Sequence, residues 1–193
     1  SSAVLTITGG EIRINAGGDG LDSNGTIAMS GGTVYVDGPV NDGNGILDYD
    51  KTFEISGGTL IGAGSSGMLQ TISDSSSQAG LAVVFDSSQS AGTVVTVKDS
   101  AGKEVVSYEP SKSFTAVVLS DSEFEVGESY DIYLNDTLYK SIELTSVSTT
   151  DGASGMGGGM NGPGMNRSDS STSNGGRRNE VNQKSESDTS GTI

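Results

Sequence analysis

Residues 17–25 read GGDGLDSNG, and a variant of this acidic, glycine-rich loop returns at residues 41–50 as NDGNGILDYD. A short apolar run and a glycine pair follow each loop. The glycine pairs, Gly9-Gly10, Gly31-Gly32 and Gly57-Gly58, recur at intervals of 22 and 26 residues. That period is too short for a repeat with a helix and is typical of one coil of a parallel β-solenoid, in which each coil buries its apolar face against the next.

The pattern within each repeat predicts a strand, a turn at the glycine pair, a second strand and then the acidic loop. Apolar residues alternate with polar ones, as in Leu5-Thr6-Ile7 before one glycine pair and Val34-Tyr35-Val36 after the next. The third coil has no acidic loop, and its residues 62–70 read GAGSSGMLQ, which is typical of a repeat that caps a stack. Residues 71–79 are rich in serine and are interpreted as a linker or turn.

The chain is therefore expected to be all-β and to have three parts. Residues 1–79 are predicted to be parallel coils, and residues 149–193, rich in Gly, Ser, Asn and Met, to be a disordered tail. Residues 80–148 are predicted to form a small antiparallel sandwich or cap, because short alternating segments with tight turns are typical of such structures. Its strands are predicted at 81–86, 93–99, 104–109, 114–120, 129–135 and 138–145.

Composition excludes several classes of function. The net charge is −15, with 25 acidic and 10 basic residues, so nucleic acid and anionic membranes are not expected as partners. The chain has no histidine and no cysteine, which excludes a Ser-His-Asp triad, a zinc-thiolate site and a cysteine nucleophile. No apolar run approaches the roughly 20 residues that span a bilayer, so no membrane insertion is expected. We expect a monomer, and we interpret the start at Ser1 as that of a fragment or processed form.

The two acidic loops place oxygen side chains in register. Asp22 and Asp48 both lie nine residues before the first glycine of the following pair, and Asn24 and Asp50 both lie seven before it. Carboxylates stacked at strand spacing, about 4.8 Å, repel by roughly 3–4 kcal/mol at an effective dielectric of about 20. A shared cation would remove that cost. The sequence therefore predicts a calcium site, with ligands drawn from Asp19, Asp22, Asn24, Asp42, Asn44, Asp48 and Asp50.

Calcium suits this set because it takes six to eight oxygen ligands, whereas magnesium demands stricter geometry. The loops do not fit an EF-hand, which needs a glutamate at position 12 and two flanking helices. Residues 17–22 match the glycine-rich nonapeptide of RTX-type β-rolls. The match occurs once rather than in tandem, so a β-roll stays an alternative.

The segments DGLDSNG (19–25), IAMSGGTVYV (27–36), FEISGGTL (53–60) and GSSGM (64–68) together resemble a clostridial family of secreted carbohydrate-binding proteins. Residues 91–99 are similar to that family's C-terminal part. The resemblance implies a right-handed parallel β-helix with bound calcium, similar in fold to pectate lyases. It also implies non-catalytic binding of an acidic plant polysaccharide such as polygalacturonate, and of cellulose, by a secreted or cell-surface protein. On this resemblance we expect the chain to lack the family's N-terminal coils.

Three functions stay open on the sequence. The first is a calcium-dependent carbohydrate-binding module, with Tyr35, Tyr49 and Lys51 as candidate contacts to the sugar. The second is a polysaccharide lyase, whose base would be Lys51 or Arg13 because the chain has no histidine. Acidic neighbours are expected to keep Lys51 protonated, so we predict no catalytic residues. The third is a structural or adhesive spacer at the cell surface.

Overall fold

A computed structural model describes residues 3–153 of the chain. The described range contains strands and no helix, which confirms the all-β prediction. Most of the predicted tail lies outside the described residues. The strands are β1 (Ala3–Asn15), β2 (Leu21–Ser23), β3 (Gly25–Asp37), β4 (Leu47–Tyr49), β5 (Phe53–Gly64), β6 (Gly80–Gln89), β7 (Val95–Lys98), β8 (Glu104–Tyr108), β9 (Phe114–Ser120), β10 (Ser129–Leu134), β11 (Thr137–Glu143) and β12 (Ser148–Asp151).

Six strands form a central sheet in the order β1-β3-β5-β9-β6-β12. The pairs β1·β3 and β3·β5 are parallel, and Leu5 is paired with Ile27, which is paired with Phe53. The chain thus returns to the same sheet after 22 and then 26 residues. Strand β9 pairs antiparallel with β5 on one side and with β6 on the other, so the sheet is mixed.

The glycine pairs lie inside β1, β3 and β5, which continue through them as single long strands. The register shifts at each pair, so the predicted turns are bulges within a strand. Gly10, Gly32 and Gly58 have φ values of 85°, 92° and 94°, which side chains other than glycine rarely adopt. A Cβ on Gly32 would lie 2.8 Å from the carbonyl oxygen of Gly10. The three bends are therefore stacked in contact with one another.

Between passes through the central sheet the chain runs through a two-stranded parallel ladder, β2·β4. One hydrophobic core lies between this ladder and the central sheet, and Ile27, Phe53 and Leu60 are fully buried in it. This core explains why apolar and polar residues alternate in the sequence, because every second residue of β3 and β5 faces the β2·β4 ladder.

A four-stranded antiparallel sheet, in the order β11-β10-β7-β8, packs on the other face of the central sheet. The second core lies between these two sheets and contains Leu81, Val97, Leu119 and Ile132. The central sheet is therefore buried on both faces. Five of the six strands predicted in this region are observed within two residues of both predicted ends, and β6 extends three residues beyond its predicted end.

The serine-rich segment 71–79 forms no strand but contacts the first half of β5, which β9 does not pair with. The hydroxyl of Ser73 accepts a hydrogen bond from the Phe53 N–H at 2.9 Å, and that of Ser76 accepts one from the Ile55 N–H at 3.1 Å. The amide of Gln78 donates to the Gly58 carbonyl at 2.9 Å. Backbone N–H groups of Ser73, Ser77 and Gln78 also donate to carbonyls of β5, so side chains and backbone together satisfy this edge of the strand. The serine hydroxyls accept the N–H groups of β5, which is a physical reason for the serine content.

Candidate functional site

The β2·β4 ladder places Asp22 directly beside Asp48. Leu21 is paired with Leu47 and Asp22 with Asp48, so the register read from the sequence is the register of the strands. Leu21 and Leu47 are buried, and because neighbouring residues of a strand face opposite ways, the two carboxylates lie on the outer face. We call this outer face of β2 and β4, with its flanking acidic residues, the acidic ladder.

The acidic ladder carries uncompensated negative charge. Burial raises the pKa of the Asp48 carboxyl, and the charges of Asp19, Asp22 and Asp50 raise it further. Four carboxylates therefore act on one another across the two loops. The backbone pairing continues past the strands, because Asp50 N–H donates to the Ser23 carbonyl at 3.2 Å. The predicted neighbour of Asp50, Asn24, is exposed.

The remaining predicted ligands hold the loops in place. Asp19 accepts a hydrogen bond from the Gly45 N–H at 2.7 Å, which ties the first loop to the second. Asp42 accepts a hydrogen bond from the Ser65 hydroxyl. The Asn44 amide donates to Asn41 at 2.8 Å. One carboxylate oxygen of Asp19, one of Asp42 and the amide nitrogen of Asn44 therefore have roles in the loops that need no cation.

The donor chemistry of the acidic ladder fits a hard cation, because all its side-chain donors are carboxylate or amide oxygens. In the part of the chain that the structure describes, no three acidic side chains converge into a group that could hold a metal ion. Asp22, Asp48 and Asp50 would have to rotate toward a shared ion. Asp22 and Asp50 are exposed and have room to do so.

The structure separates the three predicted sugar contacts. Tyr49 is half-buried, its ring meets Phe53 edge-on, and its hydroxyl donates to the Thr71 carbonyl. Lys51 is exposed beside the acidic ladder. Tyr35 packs with the second core, between the two large sheets. Tyr35 is therefore part of a different surface from Tyr49 and Lys51.

The surface around Tyr35 is built by Arg13, which the sequence suggested only as a candidate base, and by Tyr108, which the sequence did not single out. The ring of Tyr108, from β8, stacks on Tyr35 with centroids 5.4 Å apart and planes at 27°. The guanidinium of Arg13, from β1, lies 4.0 Å from the Tyr35 centroid. Arg13 and Tyr35 are neighbours in the β1·β3 register. Tyr108 lies 73 residues further along the chain, and no motif links it to the other two.

Hydrogen bonds of Asp37 and Lys112 hold the residues around Tyr35 in place. Asp37 is only 9% exposed, and its carboxylate accepts hydrogen bonds from the Tyr108 hydroxyl at 2.7 Å and from the Ser111 N–H and hydroxyl. The Lys112 ammonium donates to the carbonyls of Ala16, Asp37 and Gly38. Burial and the Asp37 carboxylate raise the pKa of Tyr108 well above its ordinary value, so its hydroxyl stays a donor.

Comparison with protein-family models, with curated proteins and with solved structures found no match for this chain. Within residues 3–153 there is no helix long and apolar enough to cross a membrane.

Proposed function

We propose that residues 3–79 are coils of a right-handed parallel β-helix that holds calcium and binds polysaccharide outside the cell without cleaving it. The β-helix is supported by the two parallel stacks, β1·β3·β5 and β2·β4, between which the chain alternates. The handedness rests on the resemblance to carbohydrate-binding proteins. The antiparallel sheet of residues 95–143 closes the side of this stack.

The observation that carries the proposal is the pairing of Asp22 with Asp48 in the acidic ladder. Like charges in register are a cost to folding, and after burial, which is the larger cause, they contribute to the raised pKa of Asp48. A calcium ion held by Asp22, Asp48 and Asp50 would remove it. A bound calcium also supplies positive charge that attracts the carboxylate of a uronate.

Acidic polysaccharide is the ligand that such a site favours. A chain with a net charge of −15 repels polyuronate at long range, so attraction has to come from a local cation. Lys51 lies next to Asp50 and adds a second positive charge at the same place. Asn24, exposed beside the ladder, offers an amide to sugar hydroxyls.

Two basic residues of the described range are engaged as hydrogen-bond donors and are not free to act as the base of a lyase. The Arg13 guanidinium donates to Glu11 at 2.8 Å, and this contact raises the pKa of Arg13 further. The Lys112 ammonium donates hydrogen bonds to three backbone carbonyls. Lys51, the other candidate base from the sequence, is exposed. We therefore propose binding and not β-elimination.

The test is retention on insoluble polygalacturonate in calcium and in chelator, with the Asp22→Asn/Asp48→Asn double variant beside the natural chain. We expect retention in calcium, loss of most of it in chelator, and a loss of at least about tenfold in the double variant. Calcium at about 100 times its dissociation constant is expected to stabilise the natural chain by about 2.7 kcal/mol. A parallel assay for unsaturated uronide products is expected to detect none.

Equal retention with and without calcium would disprove the calcium-dependent mechanism. No retention on any polysaccharide would favour the surface spacer. Steady product formation that Lys51→Ala abolishes would show that the protein is a lyase.

A further inference from the structure

Strand β1 forms a long open edge of the central sheet. Between Val4 and Asn15 it pairs with β3 on one side, and no strand within residues 3–153 pairs with its other side. Strand β3, which carries the same repeat, is paired on both sides. An unpaired strand edge is a template for pairing with another chain.

The other sheet edges of the described range are shorter. Strand β12, at the far edge of the central sheet, has four residues. In the outer sheet, β8 has five residues and β11 has seven, and β11 carries Lys140 and Glu143. Short length and charged side chains protect an edge from pairing. Strand β1 has 13 residues and is the longest of these edges.

The polarity of β1 is a palindrome about its glycine pair, Gly9-Gly10. Reading outward from the pair, each half alternates polar and apolar residues, in the order Thr8, Ile7, Thr6, Leu5 one way and Glu11, Ile12, Arg13, Ile14 the other. The bend shifts the alternation by one residue, so the apolar residues of both halves face the same core.

The palindrome makes β1 complementary to itself in an antiparallel pair. When Gly9 lies opposite Gly10 of a second copy, each apolar residue of β1 lies opposite an apolar residue on the core face. These pairs are Leu5 with Ile14 and Ile7 with Ile12. A Cβ on Gly9 or on Gly10 would meet nothing within 4 Å, so a second backbone has room at the bend.

The outer face of this pairing brings no like charges together. Glu11 and Arg13 are the only charged residues of β1, and they lie opposite Thr8 and Thr6 of the second copy. The whole chain has a net charge of −15, so two copies repel at long range, and salt screens that repulsion. The local pairing is therefore favourable where the net charge is not.

We propose that β1 pairs antiparallel with β1 of a second copy of this chain, about a two-fold axis at the glycine pair. The two central sheets join into one, and their cores lie on the same side of it. This dimer differs from the monomer expected from the sequence. A pair of edge strands is a smaller contact than a standard interface of about 1,600 Å², so the dimer is weak, with a dissociation constant in the micromolar to millimolar range.

The first experiment is disulfide trapping, which is clean because the chain has no cysteine. The proposed register places Thr6 opposite Arg13 of the second copy, within reach of a disulfide, and the two Thr6 residues roughly 20 Å apart. A mixture of Thr6→Cys and Arg13→Cys is expected to cross-link on oxidation, and either variant alone is not. Circular dichroism melting checks that both variants are folded.

The second experiment changes the charge opposite Arg13 and measures dimerisation by sedimentation equilibrium. Thr6→Glu is expected to strengthen the dimer about threefold to tenfold and Thr6→Lys to weaken it by a similar factor. Net charge alone predicts the reverse order, because lysine reduces the repulsion between copies. Ser77→Glu and Ser77→Lys, on the exposed serine-rich segment, are matched controls and are expected to follow net charge. Raising the salt from about 0.05 M to about 0.5 M is expected to strengthen the natural dimer.

A natural chain that stays monomeric up to millimolar concentration at both salt concentrations would overturn the inference. Cross-linking of Thr6→Cys alone would overturn the antiparallel register, because it would place like residues side by side. The same order of effects at Thr6 as at Ser77 would show that net charge, and not pairing of β1, governs association. None of these outcomes bears on retention by polygalacturonate, which tests the proposed function separately.

Discussion

The parallel and antiparallel regions differ in the charges of the residues that they pair across neighbouring strands. In the parallel ladder Asp22 is paired with Asp48, a like charge. In the antiparallel sheet Asp131 of β10 is paired with Lys98 of β7, an opposite charge. Sequence repeats that form neighbouring parallel strands place the same type of residue side by side, because each repeat resembles the one before it. An antiparallel sheet brings together unrelated segments, so its partners can be chosen for complementarity.

The two regions also differ in how their glycines with a positive φ are packed. In the parallel region glycine bends stack on glycine bends, so each depends on its neighbour having no side chain. In the antiparallel region Gly102 also has a positive φ, 79°, but a Cβ there would meet nothing within 4 Å. In the parallel region the local preference for glycine is therefore also a requirement of the contact between neighbouring strands.

The largest expected effect is that of Gly32→Ala. The alanine would adopt an unfavourable φ of 92° and place its Cβ 2.8 Å from the Gly10 carbonyl oxygen. A positive φ costs roughly 1–2 kcal/mol and overpacking about 1–3 kcal/mol. We expect Gly32→Ala to lower the free energy of unfolding by about 3–4 kcal/mol, measured by urea denaturation.

Gly10→Ala and Gly102→Ala separate the cost of a positive φ from the cost of overpacking. Both positions have a positive φ and open space, one at the edge of the parallel stack and one in the antiparallel region. Each is expected to cost about 1–2 kcal/mol. A loss in Gly32→Ala no larger than that in Gly10→Ala would show that the bends do not support one another.

The sequence predicts this stacking because the glycine pairs and the aspartates recur at a regular spacing. The spacing of the glycine pairs and of Asp22 and Asp48 gives the register of the parallel strands, and alternation locates the antiparallel ones. It does not predict that β9 pairs with β5, because that contact joins segments more than 50 residues apart with no shared motif. For the same reason Tyr108 and Lys112 were not predicted beside Tyr35 and Asp37.

Lys112→Met tests how the two regions are joined. Lys112 follows β8 of the antiparallel sheet, and its ammonium binds carbonyls at the ends of β1 and β3. Methionine keeps the side-chain length but leaves three carbonyls without their charged donor. We expect a loss of about 2 kcal/mol in the free energy of unfolding.

Lys103→Met is the matched control, because the exposed pair of Lys103 with Glu123 lies wholly within the antiparallel region. Its loss is expected to be below about 1 kcal/mol. Equal losses in the two variants would mean that Lys112 contributes no more than an ordinary surface ion pair.

The smallest effect, and the one whose sign matters most, is that of Asp48→Asn in chelator. The folded state raises the pKa of Asp48, so it binds that proton more tightly than the unfolded chain does. This group therefore lowers stability as the pH rises through the range between its unfolded and folded pKa values. In chelator at pH 7, Asp48→Asn is expected to raise the free energy of unfolding by a few tenths to about 1 kcal/mol, and the gain is expected to vanish below about pH 3.

Asp131→Asn makes the comparison a matched one, because Asp131 has a cation opposite it where Asp48 has an anion. Its expected effect has the opposite sign, a loss of up to about 0.5 kcal/mol in chelator. With calcium added, Asp48→Asn is expected to become less stable than the natural chain, because a ligand is lost, while Asp131→Asn is expected to show no dependence on calcium. If Asp48→Asn were instead destabilising in chelator, the like charges of the ladder would not be a cost, and the argument for a cation between them would fail.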